Sequence, residues 1–222
     1  MGKDNSSKAI AIVAVLIGVI GLAIGFAAFS NTLTIKSSAT VTADEGTFNV
    51  DFSTVNGSVN AGDVTAVLTP ADGSFTADDA TIDNTNAPTI SGLKAKFTEP
   101  GQTVTYSFYA HNDGEFVAYL KSIAFNTVSD GKTKVCTAAA DSEATADLVQ
   151  AACDGISISI DVGTLKNITG SEADITGHSL AKDTSEPIVV TIAYADGAQR
   201  PDGDIEVAFG DIELLYSSTD GE

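Results

Sequence analysis

Tryptophan is absent from this chain of 222 residues, and methionine occurs only at position 1. A core must therefore be built from Val, Ile, Leu, Ala, Phe and Tyr, and the hydrophobic share of 43% is sufficient for one. Thr, Ser, Ala, Gly and Asp dominate the remainder. This composition favours strands joined by turns over long surface helices, which carry more Glu, Lys and Arg.

Basic residues are also scarce. Eleven Lys and Arg face 30 Asp and Glu, which gives a formal net charge of −19. Such a chain lacks the basic patch that neutralises nucleic-acid phosphates, so we expect no nucleic-acid partner. The same charge keeps a protein soluble in a crowded extracellular setting.

Motifs for catalysis are missing. No G-x-S-x-G elbow and no Gly-rich phosphate loop occurs, and the scattered carboxylates define no acid/base pair. The only histidines, His111 and His178, are interpreted as surface residues, because two histidines outside any zinc-site spacing cannot form a catalytic centre. The sequence therefore predicts no enzyme, no catalytic metal and no cofactor.

Calcium is the one cation that the carboxylates suggest. Two Asp-rich stretches could ligate Ca²⁺ through oxygen, although neither fits a known loop motif and solvated turns are the simpler interpretation. These stretches contain Asp78, Asp79 and Asp83, and Asp202 and Asp204.

The longest apolar run lies near the N-terminus, where residues 9–29 carry no charged side chain. A segment of this length and composition predicts a membrane-entering helix, and thus export to the cell surface or beyond. Two outcomes remain open. A cut between Ala28 and Phe29 would remove residues 1–28 as a signal peptide, whereas a retained segment would anchor the chain. Residues 29–222 are expected to form a single β-sandwich domain.

The body of the chain has a period of two. Apolar residues alternate with polar ones in several runs, which is typical of half-buried strands. Asn-Gly, Asp-Gly and Pro-Gly turns separate the runs, so the sequence predicts an all-β jelly-roll or Ig-like sandwich. The apolar phase changes at Gly210, which predicts a bulge or bend there. The runs include Phe48–Phe52, Val104–Ala110, Ile156–Val162, Ile188–Tyr194 and Ile205–Phe209.

Two further features interrupt this pattern. Residues 142–152 predict a short inserted helix, with Asp141 or Ser142 as N-cap and Gly155 beyond its end. Cys136 and Cys153 bracket this helix, and two cysteines in an exported chain favour a disulfide. Residues 56–88 are rich in turns and predict an irregular excursion.

Two segments resemble the TasA/camelysin family. Residues 25–31, Gly-Phe-Ala-Ala-Phe-Ser-Asn, are similar to the end of its signal peptide, and residues 99–114 are similar to its Pro-Gly turn and following strand. The resemblance implies a jelly-roll subunit of extracellular filaments or biofilm matrix. Camelysin-like members have also been called metallopeptidases, but the residues of this chain give that label no support. In such fibres, an N-terminal strand freed by cleavage completes the sheet of the next subunit.

The segment that would pair in this way is residues 29–41, with Phe29, Leu33, Ile35 and Val41 as its apolar positions. An unpaired β-prone arm is a template for pairing with another chain, and head-to-tail exchange grows into a fibre. Alternatively, the arm forms the first strand of its own domain, and the protein is a membrane-anchored Ig-like adhesin or binding module.

Overall fold

The computed structural model describes residues 48–140, 142–171 and 174–219. They form an all-β, sandwich-like fold of three sheets with one short helix in the described part, as the sequence predicts. The predicted N-terminal helix lies outside the described residues. No helix within those residues is long and apolar enough to cross a membrane.

Sheet 1 is the first layer. Its six strands are arranged β1-β8-β14-β11-β12, and β3 pairs with β8 on the same side as β1. The strands are β1 (Val50–Ser53), β3 (Val67–Thr69), β8 (Thr103–Asn112), β11 (Ile156–Val162), β12 (Leu165–Ile168) and β14 (Thr184–Tyr194).

The chain passes repeatedly between sheets 2 and 3, because several consecutive strands belong to different ones of these two sheets. Sheet 2 has the order β13-β9-β16-β6-β5-β2, and sheet 3 has the order β10-β15-β7-β4. Sheet 2 contains β2 (Asp63–Val64), β5 (Ala80–Asp83), β6 (Thr89–Ser91), β9 (Ala118–Phe125), β13 (Ser179–Leu180) and β16 (Ile212–Ser217). Sheet 3 contains β4 (Thr76–Ala77), β7 (Lys94–Phe97), β10 (Lys134–Ala138) and β15 (Ile205–Phe209).

Gly210 marks the passage from sheet 3 to sheet 2. It lies between β15 and β16, where the apolar phase changes, so the predicted bend is confirmed. A Cβ at this position would stand 1.9 Å from the carbonyl oxygen of Asn126. Only glycine permits this approach of two backbones, and the approach turns the chain from one sheet into the next.

The core follows from strand parity. Even-numbered residues are buried between the layers from Val104 to Asn112 in β8 and from Glu186 to Tyr194 in β14, and odd-numbered residues face out. Contacts between the layers include Phe97 against Tyr194, with ring centroids 5.8 Å apart, and the Tyr106 hydroxyl donating to the Asp78 carbonyl at 2.9 Å. The alternating runs therefore place one face of each strand in a common core.

The inserted helix α1 spans Ala146–Asp154, and Gly155 follows its end as predicted. Its start is later than predicted, because Thr145 and not Asp141 or Ser142 is the N-cap. The Ser142 hydroxyl instead accepts the amide of Ala144, at 3.2 Å. This local turn competes with helical hydrogen bonding at residues 142–144, so the helix begins only at Ala146.

The excursion at residues 56–88 is more regular than predicted. It contains β2, β3, β4 and β5, each two to four residues long. Strands this short carry too few residues to show an alternating pattern, and they form because longer neighbours offer backbone partners.

Candidate functional site

Helix α1 lies beside β10 and is tied to it covalently. The predicted disulfide joins Cys136 of β10 to Cys153 of the helix, with Cα atoms 5.9 Å apart. Lys134, also on β10, donates to the carbonyl of Cys153 at 2.6 Å and to that of Ile156 at 2.5 Å. One ammonium thus links β10 of sheet 3, the end of the helix and the start of β11 in sheet 1.

The outer margin of β10 is the longest regular strand edge without a partner among the described residues. Thr133 and Ala139 bond to the β15 side, so the backbone groups of Lys134, Cys136 and Ala138 point the other way. No described backbone group bonds to them. We call this margin, Lys134–Ala138, the β10 edge.

Other sheet margins in the described part are shorter or protected. The side-chain amide of Asn84 caps β1, because it accepts from the Phe52 N–H and donates to the Phe52 carbonyl, each at 2.9 Å. This amide occupies the position of a neighbouring strand's peptide. Margins of this kind are typical of proteins that avoid edge-to-edge pairing, whereas the β10 edge has no such plug.

A trough of about 440 Å³ lies on the outward face of sheet 3, next to this edge. Val128, Val135 and Ala208 supply apolar wall and floor, and the exposed fraction of Val128 is 40%. Lys94, Lys96, Asp78 and Glu206 surround them. The trough can therefore accept apolar side chains within a rim of mixed charge.

A buried polar cluster lies at the opposite end of the sandwich. Glu186 of β14 accepts from His178 Nε2 on its Oε2 at 2.8 Å and from the Tyr216 hydroxyl on its Oε1 at 3.1 Å. The side chains of His178 and Glu186 are only 9% and 10% exposed. Gly163 lies against this pair, where a Cβ would stand 2.2 Å from Oε2. Both carboxylate oxygens are therefore satisfied inside the protein.

The electrostatics of this cluster act on the tyrosine. Burial, followed by the adjacent Glu186 carboxylate, raises the pKa of the Tyr216 phenol well above its usual value. The phenol therefore remains a hydrogen-bond donor over a wide pH range. Chemically, the cluster is a closed hydrogen-bonded carboxylate with a histidine on one oxygen and a neutral phenol on the other.

Sequence reasoning missed this cluster, although one signal was present. Glu186 occupies an even position in β14, where the following even residues Ile188 and Val190 are apolar and buried. A carboxylate in phase with a buried stripe indicates an internal partner. The partners lie 8 and 30 residues away in sequence, so the residues alone do not identify them.

The interpretation of the histidines is partly wrong. His178 is not a surface residue, since its side chain is enclosed with Glu186. His111 does face outward on β8, where its Nδ1 lies 2.8 Å from the Ser185 hydroxyl. Within the described residues, no group of three His, Cys, Asp or Glu is placed to hold a metal ion.

The Asp-rich turns use their carboxylates locally. Asp83 accepts from the Thr85 amide at 2.8 Å, Asp79 accepts from the Ala66 amide at 3.0 Å, and Asp204 pairs with Lys96 at 3.1 Å. Hydrogen bonding to Thr85 lowers the pKa of Asp83. Calcium binding at these turns stays a prediction.

The remaining predicted site residues cannot be located. Ala28 and Phe29 at the cleavage point, and Leu33, Ile35 and Val41 of the assembly strand, lie outside the described residues.

Comparison with known proteins gives no relatives: no family model matches the chain, and neither a curated protein nor a solved structure is similar to it.

Proposed function

We propose that this protein is a non-catalytic structural subunit of an extracellular filament or biofilm matrix, in which a strand of one copy pairs with a sheet edge of the next. The observation that carries this proposal is the β10 edge. Three of its five residues, Lys134, Cys136 and Ala138, turn their backbone donors and acceptors outward. An edge of this kind is a template for an added strand.

The proposed occupant is the arm at residues 29–41 of a neighbouring copy. Leu33 and Ile35 alternate with Thr34 and Lys36, so an extended arm presents apolar side chains on one face. The trough beside the β10 edge offers Val128 and Val135 as apolar contacts. Pairing would add main-chain hydrogen bonds along the edge, and the trough would select the register.

Head-to-tail pairing also explains growth. The arm and the β10 edge are different surfaces, so each copy donates through one and accepts through the other. Such a heterologous contact does not close on itself unless rotation returns it to the start, and it therefore extends into a fibre.

Export completes the proposal. The apolar run at residues 9–29 would bring the chain to a membrane, and either cleavage after Ala28 or retention leaves the body on the far side. An acidic surface without a basic patch suits an extracellular location and no nucleic-acid partner.

Electron microscopy of the purified protein tests the assembly. We expect the parent protein to form fibres and a variant lacking residues 29–41 to form none. Ala138→Pro should also abolish them, because the Ala138 N–H points away from β15 and proline removes only an outward donor.

Ala140→Pro is the matched control, since residue 140 lies beyond the end of β10. This variant should assemble normally, and all variants should retain their circular dichroism spectra. Monodisperse monomers of the parent protein at high concentration would instead favour a membrane-anchored adhesin or binding module.

A further inference from the structure

The outward face of sheet 1 lacks charge across its centre. Odd-numbered residues of β8, β11 and β14 point to this face, and the paired residues of β3 join them. We define the neutral face as the following side chains: Val67, Thr69, Thr103, Thr105, Ser107, Tyr109, Ser157, Ser159, Pro187, Val189, Thr191 and Ala193.

Strand register arranges these side chains in rows. One row runs Ser159, Thr191, Thr105 and Val67 across four strands. The next row runs Ser157, Ala193, Thr103 and Thr69. Neighbours within a row stand about 4.8 Å apart, and successive rows on this face about 6.7 Å apart. The result is a regular array of hydroxyl and methyl groups, in which every hydroxyl can both donate and accept a hydrogen bond.

Solvent reaches this face. Ser107, Ser157 and Pro187 are exposed, and Val67 has the highest exposed fraction among the large apolar side chains described, 56%. Loop residues cover only one end, where the Gly57 amide donates to the Ser185 hydroxyl at 3.0 Å.

The absence of charge here contrasts with a chain of net charge −19. Carboxylates border the face: Asp161 of β11 lies beside Val189 and pairs with Lys166 at 3.1 Å, and Asp51 lies on β1. His111 lies beside Asp51 at the same end. Contact centred on the neutral face therefore brings two acidic molecules together with few carboxylates to remove from water, each of which costs several kcal/mol.

We propose that the neutral face is a self-association surface, on which a second copy of this chain packs its own neutral face about a two-fold axis. A face of hydroxyls and methyls is self-complementary, since each partner supplies both donors and acceptors. Two such faces can stack about 10 Å apart in aligned packing. An isologous contact of this kind closes as a pair.

The size of the face sets the strength of the contact. Its area is about 400 Å² per copy from strand spacing and rise, against about 800 Å² per partner in a standard interface. The pair is therefore weak alone. The contact strengthens with salt, because salt screens the repulsion between the acidic surfaces of the two copies. Repetition along a fibre would multiply it, and would join neighbouring fibres side by side.

Chemical cross-linking of the full chain in a mild non-ionic detergent tests this contact. Thr191→Cys places a thiol at the centre of the face, and a short bismaleimide should then link two copies. Cys136 and Cys153 are joined in the native disulfide and do not react. Thr81→Cys, at an exposed position of β5 in sheet 2, is the matched control and should give little dimer.

Charged substitutions within the face distinguish a specific contact from cross-linking by random collision. Adding Thr105→Asp to Thr191→Cys should lower the dimer yield about tenfold, because two carboxylates then meet across the contact. Thr105→Lys added to Thr191→Cys should lower the yield in the same way, and mixing the Asp and Lys variants should restore it. Ser107→Asp serves if Thr105→Asp does not fold, as judged by circular dichroism.

Equal yields from Thr191→Cys and Thr81→Cys would overturn the proposal, as would a yield that Asp at position 105 leaves unchanged. The readout needs neither fibres nor the arm at residues 29–41. Its result is therefore independent of the β10 edge, and either proposal can fail while the other stands.

Discussion

At the residue scale, Glu186 places a carboxylate between the two layers, in phase with the buried apolar residues Ile188 and Val190. Ionised carboxylates are stable there only when hydrogen bonded, and Glu186 receives one donor on each oxygen. Tyr216 supplies one of these donors from β16, so a single side chain connects sheet 1 to sheet 2. The cluster is explained by folding, with no chemistry required of it.

Tyr216→Phe removes that donor while keeping the ring. We expect the free energy of unfolding to fall by about 1.5–3 kcal/mol at pH 7, since the lost hydrogen bond is to a charged group. Urea denaturation measures the change. Tyr109→Phe is the matched control, because the Tyr109 hydroxyl bonds to no described residue, and it should change stability by less than about 0.5 kcal/mol.

The same variant has a signature in pH. Because the pKa of Tyr216 is raised in the folded state, the unfolded chain releases this proton first, near pH 10. Folding stability from this residue is fully present below about pH 10 and is lost as pH rises beyond it. The difference between parent and Tyr216→Phe should therefore narrow above pH 10; a constant difference up to pH 12 would contradict this assignment.

At the element scale, the sequence is informative where a strand is long and half-buried. β8, β11 and β14 each carry a sustained alternation, and their buried residues are those of the predicted apolar phase. Gly210 was identifiable because the phase changes across it. β9 was not predicted: its outward positions include Ser122 and Ala124, whose small side chains weaken the contrast.

The sequence could not show which strands and side chains are neighbours in three dimensions. Cys136 and Cys153 were identifiable as a pair, but the β10 edge depends on which strands neighbour β10 in space. His178 was misassigned for the same reason, since its burial comes from Glu186 and the turn at Gly163. Neutral positions on β8 become a face only when β11 and β14 are placed beside them.

The disulfide gives a prediction for helix α1. Replacing Cys136 and Cys153 together with Ser removes a cross-link between residues 17 apart in sequence, so the free energy of unfolding should fall by roughly 3 kcal/mol. Helix α1 has nine residues, too few for stability without tertiary support. Hydrogen exchange should therefore accelerate at residues 146–154.

The central strand β8 provides the internal control for that measurement. It pairs on both sides and makes no contact with the disulfide, so its amides should keep their slow exchange relative to global unfolding. Unchanged protection in α1 after both substitutions would show that Lys134, through its bonds to Cys153 and Ile156, holds the helix without the cross-link.

At the scale of the whole molecule, charge opposes compactness. A net charge of −19 on 222 residues repels itself in the folded state more than in the expanded chain. The pairs that offset it include Lys96 with Asp204, Lys166 with Asp161 and Arg200 with Glu99, and all three are partly exposed. Such pairs contribute little, so solvent ions take a larger part in stabilising this fold.

Salt should therefore raise thermal stability. Between 0.01 and 0.5 M sodium chloride the screening distance falls from about 30 Å to roughly 4 Å, which removes most of the repulsion between surface carboxylates. For a domain of this size, each 1 kcal/mol regained raises Tm by roughly 2–4 °C. Differential scanning calorimetry measures the shift. A combined Glu115→Gln and Glu143→Gln variant should begin at a higher Tm and respond less to salt, because both carboxylates are exposed and neither belongs to the ion pairs above. If parent and variant shift equally, a general salt effect and not screening of these charges stabilises the protein.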